Sequence, residues 1–403
     1  MPRVGRMQFK KYNHDFKCLY RQSRARCSFT AAAIVKEERG ILLSPVFPKA
    51  LRGHRDDLAG LMAERVYCTY FDHNYLPRGL ALYHSLQRHA PGSCLWVLCL
   101  SEACYQALKT LDLPGLAPVS LAEFEAADPA VAATRPTRSQ IEYYFTCSPA
   151  WKLYVLNNEP GAEWVTYLDS DLFFFASPEP IYEEMKDACF GIIPHRFTRR
   201  ISHRRRFGIY NVGWVSVRNC EEGRAALGWW RERCIDWCHD YVDEEGDRFA
   251  DQRYLDRLPG MFPKVHVIAH LGANLAPWNF AERQLAWRDG SVRIDGACEL
   301  LFFHFHGVKR TGGYYFNSHR IFSAPFPRLM REHIYEPYVA ALAAAEARAA
   351  PLLGNERAET VRKLTVRGPV DLMINVLRKI RALAFRGFDV ITRRANAVPG
   401  RSR

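Results

Sequence analysis

From Val66 onward the chain alternates short β-branched and aromatic runs with stretches of helical periodicity, and that alternation leaves few architectures open. Strands are expected at residues 66–71, 95–100, 165–168, 189–193, 211–217, 265–268 and 301–305. Between them, helices are expected at 78–88, 102–109, 149–156, 180–186, 222–239 and 251–257. Strands that take turns with helices rather than following one another directly indicate βαβ units. The fold class is therefore α/β, a mixed, mostly parallel sheet flanked by helices. The helix expected at 149 has apt start chemistry, with Ser148 as cap and Pro149 at the first position, where its missing N–H is unneeded. No internal repeat is visible.

Charge divides the chain further. The formal net charge of +13 suggests polyanionic partners, but it is not evenly spread. Residues 1–65 hold 14 Lys and Arg against 6 Asp and Glu, and residues 352–403 hold 12 against 4, which leaves the middle slightly acidic. Residues 1–65 read as a basic, weakly patterned arm, and Met62 offers a second start point directly before the first strand, so translation from there would omit most of it. Residues 66–322 read as one catalytic domain and 323–403 as a helical C-terminal extension. Within that extension, residues 338–350 are rich in Ala. Past Pro369, Val370, Met373, Ile374, Leu377, Ala384, Phe388 and Ile391 fall on one helical face, with Arg378, Lys379 and Arg386 turned away. Such a segment either rests on an anionic bilayer or packs on the domain as an ordinary helix.

Twelve cysteines are scattered without a Cys-x-x-Cys pair, in a chain whose 48% hydrophobic content makes staples unnecessary. A reducing, cytoplasmic setting is expected. No apolar stretch followed by a small-residue cleavage site occurs near the N-terminus and no run of 18 apolar residues occurs anywhere, so neither a secretory signal nor a membrane span is expected.

The sharpest chemical signal is Asp169-Ser170-Asp171, between the runs Trp164 to Leu168 and Leu172 to Phe175. Two carboxylates one residue apart at the carboxyl end of a buried strand stand where ligands gather in open α/β sheets. Flanked by so much apolar sequence, they need compensation, and oxygen ligands suit Mg²⁺ or Mn²⁺. The alternative is a strand-end turn with two solvated aspartates. A second group is His304-Phe305-His306-Gly307, where strand alternation points both imidazoles the same way and Gly307 permits a tight turn; Lys309 follows within reach of an anion. Weaker groups are Asn211-Val212-Gly213 at a strand start, Asp251-Gln252 at an expected helix start, and Asp72-His73-Asn74-Tyr75 after the first strand, where a plain βα turn is the competing explanation.

Taken in order, these five groups resemble the GT-A-fold nucleotide-sugar glycosyltransferases, and especially the retaining group that includes glycogenin and the lipopolysaccharide galactosyltransferases. The resemblance spans about residues 66–320 and lies in the order of the motifs more than in any one of them. It implies a single GT-A (Rossmann-like) domain that uses a nucleotide-diphosphate sugar donor, Mn²⁺ or Mg²⁺, and a glycan or lipid-linked hydroxyl acceptor, as in polysaccharide biosynthesis. By the same resemblance Asp169, Asp171 and His304 would hold the metal, and Asp72 and Asn74 would contact base and ribose. Lys152, Ser170, Gly307 and Lys309 would lie on the donor side, and Asn211, Asp251 and Gln252 would line sugar and acceptor. The chain departs from the pattern at Lys309, which follows His304 by five residues instead of six and precedes Arg310 instead of Pro-Trp. His306 thus stays open as a ligand.

The chemistry behind this reading is that a departing nucleoside diphosphate needs its charge stabilised, by a Lewis-acid metal and by Lys152 or Lys309. Retention, towards which the resemblance leans, needs no strong base; inversion would need a carboxylate, for which Asp251 is the candidate. The alternatives are an aspartate-dependent phosphohydrolase, for which Phe173 is the wrong residue two positions after the second aspartate, and a basic membrane- or nucleic-acid-binding protein without catalysis. The near-neutral middle and the absence of any nucleic-acid-binding signature argue against nucleic acid. Finally, residues 195–206 contain six arginines (Arg196, Arg199, Arg200, Arg204, Arg205 and Arg206). They form either a clamp for a phosphate or an acidic acceptor, or a solvated loop.

Overall fold

The computed structural model describes residues 65–311, 314–353 and 390–392. The basic arm before Arg65 and nearly all of the expected amphipathic segment after Pro369 lie outside the described residues. Among the described residues, no helix is long and apolar enough to cross a membrane.

The chain begins with β1 (Arg65–Phe71), α1 (Leu76–His89), β2 (Cys94–Cys99), α2 (Glu102–Leu111) and β3 (Leu116–Ser120). After the short helices α3 (Leu121–Ala127) and α4 (Pro129–Ala132) come the long α5 (Gln140–Asn158), β4 (Trp164–Leu168), β5 (Leu172–Phe174) and α6 (Glu179–Glu184). Then follow β6 (Phe190–Pro194), β7 (Tyr210–Arg218), α7 (Glu221–Asp236), α8 (Leu258–Met261) and β8 (Val265–Val267). A seven-stranded sheet results, in the order β3-β2-β1-β4-β7-β6-β8, with β7 antiparallel to both neighbours and the other strands parallel. The expected mixed, mostly parallel sheet flanked by helices is what the chain forms.

Strand alternation sorts the core into two layers. From β1 and β4, Val66, Cys68, Val165 and Tyr167 join the cluster containing Trp151 of α5 and Trp230 of α7. Tyr67, Phe71, Trp164 and Leu168 point to the opposite layer with Leu80 of α1. Because both faces are covered, β4 is buried at all five positions, which is why it reads as a continuous apolar run.

Several elements differ from expectation. The helix expected to start at Pro149 starts at Gln140, where Ser139 and Glu142 form a reciprocal capping box, and Pro149 lies in its interior. The capping box provides the stronger start, and burial of Tyr143, Cys147, Ala150, Trp151 and Val155 along the helix offsets the hydrogen bond that proline forfeits. Asp251-Gln252 opens no α-helix; the two residues precede a 3₁₀ turn at Arg253–Arg257. Strand β3 was not anticipated, because it is an edge strand carrying Pro118, which an edge tolerates.

The rest of the chain closes the domain. Strands β9 (Leu285–Arg288), β10 (Ser291–Ile294) and β11 (Cys298–Glu299) form a small antiparallel sheet, and β12 (Phe302–His304) pairs antiparallel with β5. Strands β13 (Lys309–Thr311) and β14 (Tyr314–Phe316) form a hairpin to which β15 (Val390–Thr392) adds a third strand. After the short α9 (Arg328–Met330), α10 (Glu336–Leu353) covers the Ala-rich stretch. It packs against α1 and sends Ala345, Ala349 and Leu353 into the same layer as Leu80. Near its start, Tyr338 stacks on Phe305 with ring centroids 3.8 Å apart, so the C-terminal extension supports the segment that carries the two histidines.

Candidate functional site

Backbone pairing brings the two sharpest sequence signals together. The turn between β4 and β5 carries Asp169 and Asp171, and the β5–β12 register sets His304 opposite Leu172, next to that turn. The amide of Asp169 donates to the Gly213 carbonyl on β7 at 3.0 Å, and the carbonyl of Asp171 accepts from the Phe305 amide at 2.9 Å, so both ends of the turn are tied to neighbouring strands. His304 is itself held by its amide, which donates to the Leu275 carbonyl at 2.9 Å.

The side chains converge accordingly. His304 Nε2 lies 3.0 Å from Asp171 Oδ1 and 3.6 Å from Asp169 Oδ2. Donor atoms of Asp171, His304 and His306 all lie within 4.8 Å of one another, so His306, whose ring is exposed, is close enough to serve as a further ligand. Tyr167 donates from its hydroxyl to Asp169 Oδ1 at 2.9 Å and orients that carboxylate. Burial alone would raise both aspartates. For Asp171 the adjacent His304 outweighs burial and holds the carboxyl below its usual range, whereas Asp169 stays above it. Burial would depress His304, but Asp171 and Asp169 outweigh it and raise its pKa.

Asp171, His304 and His306 cluster closely enough to share a cation, with Asp169 Oδ2 3.6 Å from His304 Nε2 at the edge of the group, and such an oxygen-and-imidazole donor set suits a hard or borderline divalent cation such as Mn²⁺ or Mg²⁺. The remaining ring nitrogen, His304 Nδ1, is buried without a hydrogen-bond partner. It faces Gly213, where an added Cβ would stand 2.9 Å from His304 Cε1 and 2.5 Å from Asn211 Oδ1. If the cluster holds a cation, Gly213→Ala should therefore displace the imidazole and the Asn211 amide, weaken Mn²⁺ binding by about tenfold or more, and cost about 1–3 kcal/mol of stability. Calorimetric titration with Mn²⁺ checks this; an unchanged affinity would remove Gly213 from the support of the site.

A second group lies behind the aspartates. Lys152 on α5 is fully buried; its Nζ donates to the Ser148 carbonyl at 3.1 Å and to Ser148 Oγ at 3.0 Å and stands 3.9 Å from the centre of the Tyr167 ring. Burial pulls its pKa down to about 8, against the opposing charges of Asp251 and Asp169. Asp251 is 3% exposed, and burial lifts it to about 6. Its Oδ2 has no partner, while its carbonyl accepts from Trp230 Nε1 at 2.8 Å.

The other expected residues are distributed around this centre. Asp72 Oδ1 accepts from the amides of Asn74 (3.0 Å) and Tyr75 (3.2 Å), and Oδ2 accepts from Asn74 Nδ2 (3.1 Å), so Asp72 braces its own βα turn. The charges of Asp171, Asp72 and Asp169 all act on the Tyr75 hydroxyl, so that turn lies within electrostatic reach of the two aspartates. Asn211 is engaged inside the protein at both ends of its amide: Oδ1 accepts from the Gly213 amide at 3.1 Å, and Nδ2 lies 3.2 Å from His195 Nε2. Gln252 donates from Nε2 to the Phe207 carbonyl at 2.8 Å, fastening the arginine-rich segment. Ser170 is buried in the aspartate turn, Gly307 turns with φ +73°, and Lys309 is at the surface where β13 begins.

Within the arginine-rich segment, Arg196 is no clamp: its guanidinium donates to the carbonyls of Ala273, Ile268 and His270 at 2.8–3.2 Å and serves the fold. Sequence reasoning missed Arg78, whose Nη2 donates to the Val308 carbonyl at 2.8 Å and whose charge reaches Asp171. It also missed Trp278, which meets the rings of His304 and His306 edge-on at 5.0 and 5.8 Å. Tyr167 was missed as well, although its place two residues before Asp169 on a strand was a signal that could have found it; Trp278 carried no local signal.

Fold and site together define an α/β protein with a carboxylate–histidine centre at the carboxyl ends of its sheet strands. The chain belongs to the family of the Bacillus subtilis (strain 168) proteins YfnF and YfnD, both described as uncharacterized. It is 34% identical to YfnF over 250 residues (60% of this chain, 81% of YfnF) and 33% identical to YfnD over 242 residues (60% and 77%). No family model matches the chain. Among solved structures, the galactosyltransferase LgtC in complex with donor and acceptor sugar analogues is similar at 16% identity and a TM-score of 0.44, covering 69% of this chain and 95% of LgtC. Mouse xyloside xylosyltransferase 1 is similar at 14% identity and a TM-score of 0.39, covering 60% and 98%.

Proposed function

We propose that this chain is a metal-dependent glycosyltransferase that moves a sugar from a nucleoside-diphosphate donor to a hydroxyl of a glycan or lipid-linked acceptor, with retention at the anomeric carbon. The observation that carries the reading is the convergence of Asp169, Asp171 and His304 at the carboxyl end of β4, next to the Asp72 turn at the end of β1. The order of the sequence motifs supports it independently.

In this reading Asp169, Asp171 and His304 hold Mn²⁺ or Mg²⁺, which when bound supplies Lewis-acid stabilisation to the departing diphosphate. Tyr167 keeps Asp169 oriented towards that position. Lys152 sets a buried positive charge behind the aspartates, where little solvent screens it, and so counters negative charge that builds on the donor side. The turn Asp72–Tyr75 offers its polar edge to base and ribose. Retention leaves Asp251 as a charge facing the reacting sugar. Inversion would use its unpartnered Oδ2 as the base that takes the acceptor proton, and the anomeric configuration of the product, read by NMR, separates the two. The cytoplasm is the proposed setting, in keeping with the ten unbonded cysteines among the described residues. Peripheral membrane contact through the basic C-terminal segment belongs to the same proposal.

Thermal-shift measurement against a panel of nucleotide sugars, with and without Mn²⁺, tests the reading. The expected result is a stabilisation by at least one nucleotide sugar that requires the metal. A panel in which no compound shifts the melting temperature in either condition would overturn it.

A further inference from the structure

We infer that Arg204, flanked by Arg205 and Arg206, forms an anion subsite beside the metal position and takes a phosphate or carboxylate group carried by a substrate. Residues 195–208 contain six arginines and no acidic residue. The segment is fixed by other means: Arg196 through three carbonyls, Gln252 to the Phe207 carbonyl, the Arg199 amide to Glu282, and Arg253 to the Arg206 carbonyl. The Arg204, Arg205 and Arg206 side chains are therefore not what holds the loop in place.

Arg204 differs from the ion-paired arginines of the domain. Arg231, Arg283 and Arg310 each meet a carboxylate, namely Asp128, Asp295 and Glu346. Arg204 is half-buried and meets none among the described residues; its guanidinium lies over the Phe322 ring at 5.0 Å, and its Nε is buried with no hydrogen-bond partner among them. Burial and the charge of Arg206 both push Arg204 below the ordinary guanidinium pKa, as expected of a cation that lacks its counter-ion. A guanidinium in this position brings to the aromatic layer the kind of donor group that phosphate and carboxylate accept in two-pronged contact. The location is specific as well: the Phe322 ring meets His306 at 5.8 Å and Trp278 at 5.7 Å, and Trp278 also touches His304, so one aromatic layer separates Arg204 from the candidate metal ligands. An anion held there would lie next to the reacting groups.

Only the identity of the carrier rests on the glycosyl-transfer reading: the anion is either the donor's diphosphate or a charged group on the acceptor. The test is calorimetric titration of the full chain with inorganic phosphate in EDTA, for the wild type and for Arg204→Gln. Arg204→Gln is expected to bind phosphate at least tenfold more weakly, and equal affinity would overturn the subsite. Should Arg204→Gln fail to fold, the exposed pair Arg205→Gln/Arg206→Gln carries the test, with an expected loss of about threefold and a shallower salt dependence; no change in either would again overturn it. A second titration, with pyrophosphate and Mn²⁺, separates the sources. Weaker pyrophosphate binding by Arg204→Gln assigns the subsite to the donor, and unchanged pyrophosphate binding alongside lost phosphate binding assigns it to an acidic acceptor. If pyrophosphate with Mn²⁺ fails to bind the wild type, the metal reading fails, while the phosphate titration still decides the subsite.

Discussion

Asp171→Asn should lower metal-dependent sugar transfer, or hydrolysis of the donor in its absence, by about 10³-fold while the fold stays intact. The carboxylate contributes both charge and the oxygen nearest His304 Nε2, at 3.0 Å. Asparagine keeps the shape and one carbonyl oxygen but no charge, and a divalent cation facing one carboxylate instead of two is held far less tightly. Mutations that remove a single electrostatic contact to a developing anion typically cost about 10²–10³-fold, and here the loss of metal affinity adds to that. Chelation of the wild type should reproduce the defect, and added Mn²⁺ should restore the wild type but not the variant at the same concentration. The comparison requires rate measurements over a Mn²⁺ series, with circular dichroism and a melting curve as controls for folding. Wild-type rates in the variant would end the metal assignment.

Asp251→Asn should separate stability from activity in the opposite direction. Asp251 is 3% exposed, one of its carboxylate oxygens lacks a partner, and burial lifts its pKa to about 6 from an ordinary 3.8. A carboxyl raised in the folded state is easier to ionise in the unfolded chain, so its charge works against folding. That cost is absent below about pH 4, where both states are protonated; it grows as pH rises to about 6 and is constant above. An isosteric amide removes it, so the variant should gain on the order of 2 kcal/mol above pH 6 and nothing at pH 4, a net figure in which the attraction of Lys152 is already contained. Melting temperatures of both proteins across that pH range check the sign. Activity should fall by at least about 10²-fold, the scale expected of a group that transfers a proton or faces a developing charge. A variant that is less stable at pH 8 than at pH 4, relative to wild type, would show that the Lys152 counter-charge dominates.

Such a pair of outcomes fits a site whose charges are kept at a cost to stability. Lys152 and Asp251 lie behind the centre with little solvent around them, Asp169 within it is partly exposed, and desolvation is the first cause of the perturbed pKa of all three. The fold around them is built on the apolar layers that cover the two faces of the sheet.

How much of this was legible in the sequence varies by residue. All seven expected strands form, because alternation and β-branching report directly on a pleated, half- or fully buried surface. Asp169, Asp171 and His304 were legible because each is adjacent to an apolar strand, where a charged or titratable side chain requires a reason. The start of α5 was misread because Ser148-Pro149 carries a local start signal, and only the full capping box and buried face at 139–158 outweigh it. The clamp reading of Arg196 failed for a different reason: its guanidinium binds carbonyls more than 70 residues away in sequence, a contact with no local signature.

By itself, the sequence determined the α/β class, the strand that ends in two aspartates, and the presence of two histidines at the end of a later strand. These are properties of short windows, where periodicity and the cost of burying charge act within a few residues. Only the tertiary structure decided that the β5–β12 register sets His304 opposite Leu172, beside the aspartates, that Trp278 and Phe322 line the far side, and that Arg204 is left without a carboxylate partner. Register and packing between distant segments depend on which apolar faces meet, and no local pattern encodes that choice.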